Sequence, residues 1–249
     1  MKKGTGREFI EKTKHKYLEL SDQQKGLPQP PLIWQRQQVN PSISLPHPGK
    51  TPLSPVDLRN LITQRTSVRE YSRKALSLAE LSYLLWCTQG IKLLYGQQLS
   101  LRTVPSAGAR HAFETVLLIN RVEGLEAGVY RYLAIEHALE VISTQPDLAG
   151  RFAAACYAQA MIMHCAVTFL WVAVPYRMTW RYGERGYRYL HLDAGHVCQN
   201  LYLASEAIDA GVCAVGAFDD DALNTLLGLD GSEAFVIYLA AVGKKTAGS

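Results

Sequence analysis

Seven of the chain's 11 prolines fall between residues 28 and 52, and this clustering constrains the fold more than any other single feature. Proline fixes φ and removes an amide donor, so so dense a run cannot form a helix interior or a central strand. Residues 1–54 therefore read as an extended arm, with a short helix at about residues 7–20 preceding the prolines. A flexible leader and an arm lying across a partner subunit both satisfy this composition. The packed domain then comprises residues 55–249. With 48% hydrophobic and 19% charged residues overall, close to the soluble average, the chain can bury a full core.

Regular patterning begins near Pro55. Leu58, Leu61 and Ile62 recur at helical spacing, and that helix ends around Arg65. Ser77 and Glu80 form a capping box that opens a second helix, with Leu81, Leu84 and Leu85 on its inner face. Strands are expected at 114–120, 128–132, 139–143, 166–174, 212–215 and 235–242. Helices are expected at 147–157, 187–210 and 219–227. Asp219, Asp220 and Asp221 suit a helix N-terminus better than a metal site. Strands and helices mix without a regular βαβ alternation, and no internal repeat is present.

Several classes of function are disfavoured. The net charge of +4 suits an anionic small molecule and is too weak to argue for nucleic acid. Residues 160–174 are apolar but too short for a membrane span, and the first ten residues lack the apolar stretch of a signal peptide. Five cysteines without a C-x-x-C spacing support neither a disulfide framework nor zinc. Cys198 and Cys213 read as buried thiols. A reducing, cytoplasmic setting follows. No dinucleotide-binding glycine motif, P-loop or hydrolase nucleophile elbow occurs. His191 and His196, five apart, cannot share a metal on one helix face, so no metal site is expected.

Three short segments and one longer one can carry chemistry. Arg65, Ser67 and Arg69 offer charge-assisted donors for a phosphate or a polar ring edge, although a surface arginine pair would look the same. Pro105, Ser106 and Gly108 lie in a small-residue turn whose backbone can approach a flat ring closely. Val215 and Gly216 end a strand in a glycine turn. Between Tyr176 and Tyr189, four arginines alternate with aromatics against Glu184 alone. Such a stretch could bind nucleic acid, line a substrate pocket or form a wet loop at a subunit boundary. The last two are preferred, since no extended basic face accompanies it. Trp180 is then a pocket wall or a loop aromatic.

In combination and in order, these pieces resemble the nitroreductase superfamily and, within it, the SagB-type (SagB/ThcOx-like) dehydrogenases. The matching stretches are RTSVREYSRKALSLAELSYLLWCTQGI at 65–91, RTVPSAGA at 102–109, VEGLEAGVYRY at 122–132, RYGERGYRYLHLDAGHVCQNLYLASEA at 181–207 and GAFDDDALNTLLGL at 216–229. They span about residues 55–245.

The resemblance implies an α+β fold with a central mixed or antiparallel sheet flanked by helices, and an intertwined homodimer holding two FMN sites between its subunits. It implies an FMN-dependent oxidoreductase passing hydride between NAD(P)H or an organic donor and a small-molecule acceptor. By the same resemblance, Arg65, Ser67 and Arg69 contact the FMN phosphate and flavin edge. Pro105, Ser106 and Gly108 reach the ring from the other subunit. Val215 and Gly216 present a backbone donor near N5, and Lys244 is a further phosphate contact. His196, Gln199 and Asn200 fall on the long interface helix as structural residues.

Two departures stand out. The family continues its P-S-A-G-A segment with Leu-Tyr-Pro, where this chain has Arg110, His111 and Ala112. Azoline-oxidising members carry a Lys-Tyr pair where this chain has Arg181 and Tyr182, the candidate catalytic residues. Arginine holds its proton too firmly to act as a general base, whereas Tyr182 can still exchange one. Generic flavin chemistry is favoured over azoline-to-azole oxidation of a modified peptide, and a flavin-binding protein without turnover is the remaining alternative.

Overall fold

The β-branched and aromatic runs after residue 112, with one short strand of the arm, build one antiparallel sheet in the computed structural model, which describes residues 4–34, 40–53 and 55–246. Its strands are β1 (Ser42–Ser44), β4 (Phe113–Ile119), β5 (Gly128–Leu133), β6 (Ala138–Ser143), β7 (Val167–Ala173), β8 (Ala210–Val215) and β9 (Phe235–Lys244). They lie in the order β1-β6-β5-β4-β7-β9-β8, and every ladder is antiparallel. The expected choice between mixed and antiparallel thus resolves to antiparallel. β4 and β7 have all seven residues buried. A strand covered on both faces has no wet side to alternate toward, so it reads as a continuous apolar run.

Helices cover both faces. Phe113, Leu117, Phe169 and Trp171 pack toward α3 (Leu78–Gln89) and α7 (Gly186–Glu206). Val116, Leu118, Leu170 and Val172 pack with α4 (Leu148–Ala155), α5 (Met161–His164) and α8 (Asp220–Leu227). The capping box on α3 forms with both of its bonds, Ser77 N–H to Glu80 at 2.9 Å and Glu80 N–H to Ser77 Oγ at 3.2 Å. Asp219 caps α8 by accepting from the Ala222 amide at 2.9 Å.

Several details differ from the sequence reading, which expected neither β1 nor α5. The first helix, α1, stops at Lys12 (Thr5–Lys12) and is followed by a single 3-10 turn at His15–Tyr17. α7 ends at Glu206 and not at 210, because the chain must reverse into β8, which it does through a left-handed Asp209 (φ 54°). A hairpin of β2 (Ile91–Tyr95) and β3 (Leu99–Arg102) was not anticipated. The arginine-aromatic stretch begins as a helix, α6 (Pro175–Tyr182), started by a proline in its first turn.

The helix ahead of Arg65, α2 (Leu58–Gln64), has no buried residue, and Leu58 and Ile62 are exposed. Its apolar stripe is uncovered within one chain. The described part of the N-terminal arm runs along the chain's own surface. Arg185 Nη1 donates to Thr13 O at 2.9 Å, Gln23 N–H to Trp180 O at 2.8 Å, and Trp180 Nε1 to Leu27 O at 3.0 Å. Trp34 N–H donates to Glu114 at 2.7 Å, and β1 then pairs with β6.

Candidate functional site

After α2 the chain lies alongside the outer edge of the sheet. Ser67 and Val212 form a parallel bridge, and Val68 N–H donates to Val212 O at 2.9 Å. Glycine makes this approach possible, since a Cβ on Gly211 would fall 2.5–2.8 Å from the Val68 side chain. Tyr71 fills the matching space over Gly243, and its hydroxyl reaches the carbonyls of Val68 (2.7 Å) and Ala241 (3.0 Å). Burial holds that phenol well above the ordinary tyrosine pKa.

Tyr202, on α7, organises the residues next to this bridge. Its hydroxyl accepts from Ala214 N–H at 2.9 Å and lies 3.1 Å from Ser67 Oγ. The Arg65 guanidinium sits over its ring, 5.2 Å from the centroid. Arg69 Nη1 reaches Ser67 O at 3.5 Å. Among the described residues neither Arg65 nor Arg69 pairs with a carboxylate. Val215 ends the same strand and Gly216 follows it with open space around its Cα, roughly 10–13 Å along the strand from Val212.

Lys244 lies toward the other end of this edge, opposite Ala210. Its ammonium is buried, paired with Glu80 at 2.6 Å and donating to Ile208 O. Any anion that recruits Lys244 must therefore compete with Glu80.

The segment at 105–111 forms a second centre. Gly108, Ala109 and His111 have φ of 56°, 52° and 44°, a run of left-handed backbone that costs free energy at the two non-glycine positions. Side chains hold it in place. Ser106 Oγ accepts from His111 N–H at 2.9 Å, and Ala107 N–H faces both Asp193 oxygens at 3.2 and 3.3 Å. Arg110 Nε donates to Gly108 O at 3.1 Å. Arg181 Nε and the Tyr182 hydroxyl crowd the place a Gly108 Cβ would take. The structure thus brings together Gly108, Arg181 and Tyr182. Tyr182 in turn packs edge-on against Tyr189, 4.8 Å between centroids.

Electrostatics follow burial here. The His111 pKa is pulled down to about 3 by desolvation, then by Arg102 and Arg110. Desolvation raises the Asp193 pKa, against the hydrogen bonds from Ser106 and Ala107 and the nearby His196. Cys198, lifted to about 12 by burial, is a buried thiol with little thiolate character. The burial of Cys213 shifts it in the same direction.

Within one chain the two centres are kept apart by α7. Asp193 anchors the 105–111 segment, and Tyr202 anchors Arg65 and Ser67. Nine residues separate them, so they lie roughly 180° apart around the helix and about 13.5 Å apart along it. Sequence reasoning missed both anchors. The outward face of α7 carries His191, Leu192, Gly195, His196 and Gln199, all exposed. Asn200 binds Cys87 O at 2.9 Å and ties α7 to α3.

The Nitroreductase family model matches residues 62–244. A protein of Methanocaldococcus jannaschii that carries the name nitroreductase is 34% identical over 191 residues, covering 76% of this chain and 92% of its own length. The trifolitoxin-processing protein TfxB of Rhizobium leguminosarum bv. trifolii is 29% identical over 134 residues, 52% of this chain and 36% of that protein. The crystal structure of a nitroreductase homologue from Anabaena variabilis superposes with a TM-score of 0.68 at 29% identity. That superposition covers 83% of this chain and 42% of the other.

Proposed function

The chain belongs to the Nitroreductase family, and from that premise we propose that it is an FMN-dependent oxidoreductase working as a homodimer with shared sites. The observation that carries this reading is the division of its candidate residues by α7 into two centres on opposite sides of one helix. A second copy of the chain can bring its Gly108–Tyr182 centre to the Arg65–Ser67 edge of the first. The apolar stripe of α2, uncovered within one chain, and the exposed Leu192 beside Gly195, where an added Cβ meets nothing, fit such a partner.

The residues present fit the cofactor. Arg65 and Arg69 lack carboxylate partners among the described residues, and Ser67 adds a hydroxyl, which together match the charge and oxygen count of a phosphate. Lys244 remains a further phosphate contact only if Glu80 gives way. FMN, when bound, supplies the two-electron chemistry. Val215 and Gly216 offer backbone at the end of β8 for the ring, and Pro105, Ser106 and Gly108 bring a narrow, rigid backbone edge from the partner. Tyr182 holds a proton at its phenol beside Gly108, and Arg181 adds fixed positive charge there. Five unpaired cysteines suit a reducing, cytoplasmic setting. The substrates in this reading are NAD(P)H or an organic donor and a small-molecule acceptor.

A second reading is oxidation of heterocycles in a modified peptide. It draws on the 29% identity to the trifolitoxin-processing protein. Arg181, a poor base, weighs against it.

An absorbance spectrum of gently purified protein between about 300 and 550 nm tests the main reading. Two flavin bands, release of one FMN per chain on heating, and anaerobic bleaching by NADH or NADPH are expected. A colourless protein that takes up no added FMN would remove it. Stable flavin that no donor bleaches would favour binding without turnover.

A further inference from the structure

We propose that Arg110 and Arg181, which converge on Gly108, together form a receptor for the carboxylate of an anionic substrate. The proposal rests on the flavin reading above for its place next to the reacting centre. Its own support is geometric.

Both guanidiniums meet at one residue. Arg110 Nε donates to the Gly108 carbonyl at 3.1 Å, and Arg181 Nε lies 3.1 Å from where a Gly108 Cβ would stand. Two cations brought this close repel each other. Arg110 is also only 6% exposed, stacked over Trp180 at 5.5 Å. Burial and then the neighbouring Arg181 draw its pKa down. Neither arginine has a carboxylate partner among the described residues. Such a cation pair is costly to keep unless an anion completes it.

The surroundings deepen the positive potential. Arg102 and Arg177 are buried behind the same loop, and of these only Arg177 pairs with a carboxylate, Glu114, at 2.5 Å. Around this loop three buried guanidiniums therefore outnumber two buried acids, Glu114 and Asp193, and Asp193 is engaged by the Ala107 amide. A low-dielectric wall focuses that field toward the loop. The planar fork of a guanidinium matches a carboxylate with two parallel bonds, and the Tyr182 phenol adds a third donor beside it. Because Gly108 carries no side chain, Arg181 Nε and the Tyr182 hydroxyl can close on it.

Titration calorimetry of the purified protein with benzoate and benzamide, which differ in charge and little in shape, tests this. Benzoate is expected to bind at least about tenfold tighter, the scale of one charge-assisted hydrogen bond. Arg181→Gln, at an exposed position, and Arg110→Leu, which removes the charge, should each lower benzoate affinity by about fivefold or more and leave benzamide unchanged. Arg181→Lys should fall between, since it keeps the charge and loses the fork. Equal affinity for the two ligands, binding of neither, or an unchanged benzoate affinity in Arg181→Gln overturns the proposal. If Arg110→Leu does not fold, the Arg181 variants still decide. FMN content and bleaching, read on the same sample, report separately on the flavin reading.

Discussion

Both carboxylate oxygens of Asp193 face a single amide, that of Ala107, at 3.2 and 3.3 Å. This contact fastens a strained loop to the longest helix of the chain. Asp193→Ala should leave the half-buried Ala107 amide without this acceptor and cost about 1–3 kcal/mol. Asp193→Asn keeps an acceptor oxygen and removes a buried charge whose pKa is raised by desolvation, so it should be close to neutral or stabilising. Denaturant unfolding of both variants checks the order. Equal destabilisation by the two would show that the charge itself matters.

His111 predicts an acid-labile fold. Its folded pKa is about 3 against an ordinary 6.5, so the folded state holds it neutral. The contribution is fully present above pH 6.5 and is lost as pH falls toward 3. By linkage the loss is about 1.4 kcal/mol at pH 5.5 and about 2.7 kcal/mol at pH 4.5. Urea unfolding at these pH values should follow that slope, and His111→Gln should flatten it. A wild-type stability unchanged from pH 7.5 to 4.5 would contradict the assignment.

Gly211→Ala places a methyl group into the Val68 side chain. Overpacking of this kind costs about 1–3 kcal/mol. Because Val68 adjoins Ser67, FMN retention should drop along with stability. Gly195→Ala, where the added Cβ meets nothing within 4 Å of its own chain, serves as the contrast for stability of the protomer. Thermal melts and flavin content of the two proteins separate the effects.

Arg65→Ala should weaken FMN retention by about 1.5–3 kcal/mol, the scale of a hydrogen bond to a charged group. Lys244→Met should act differently. It removes the cation beside Glu80, whose carboxylate keeps the Ser77 amide, so stability should fall by about 1–3 kcal/mol, with the smaller share of its effect in flavin affinity. Fluorescence titration with FMN beside chemical unfolding distinguishes them. An Arg65→Ala protein with unchanged affinity would falsify that contact.

The parts of the fold written in local pattern were legible from residues alone. The Ser77–Glu80 box, the apolar run of β7 and the Asp219 cap each depend on neighbours within a few positions. The β2–β3 hairpin was hidden because Leu93, Leu94 and Tyr95 all lie exposed, leaving no alternation between a buried and a wet face. α6 was obscured by its arginines and aromatics, although Pro175 in the first turn was a usable start signal. Short segments of suitable residue types singled out Arg65, Ser67 and Gly108 as candidates. Asp193 and Tyr202 have no such signature. Their partners lie 86 and 135 residues away, and only the folded chain reveals them.

One more consequence follows from the bridge between Ser67 and Val212. β8 is the last strand of its sheet, and an uncovered last strand is a template on which other chains can add. The segment from Arg65 to Val68 closes that template, and it is also the segment proposed to grip the cofactor. On the proposed reading, solubility and cofactor capture are therefore joined in the same four residues. A chain that loses its grip there loosens the guard on its own sheet, so emptied protein should be lost first as precipitate and only later as unfolded monomer.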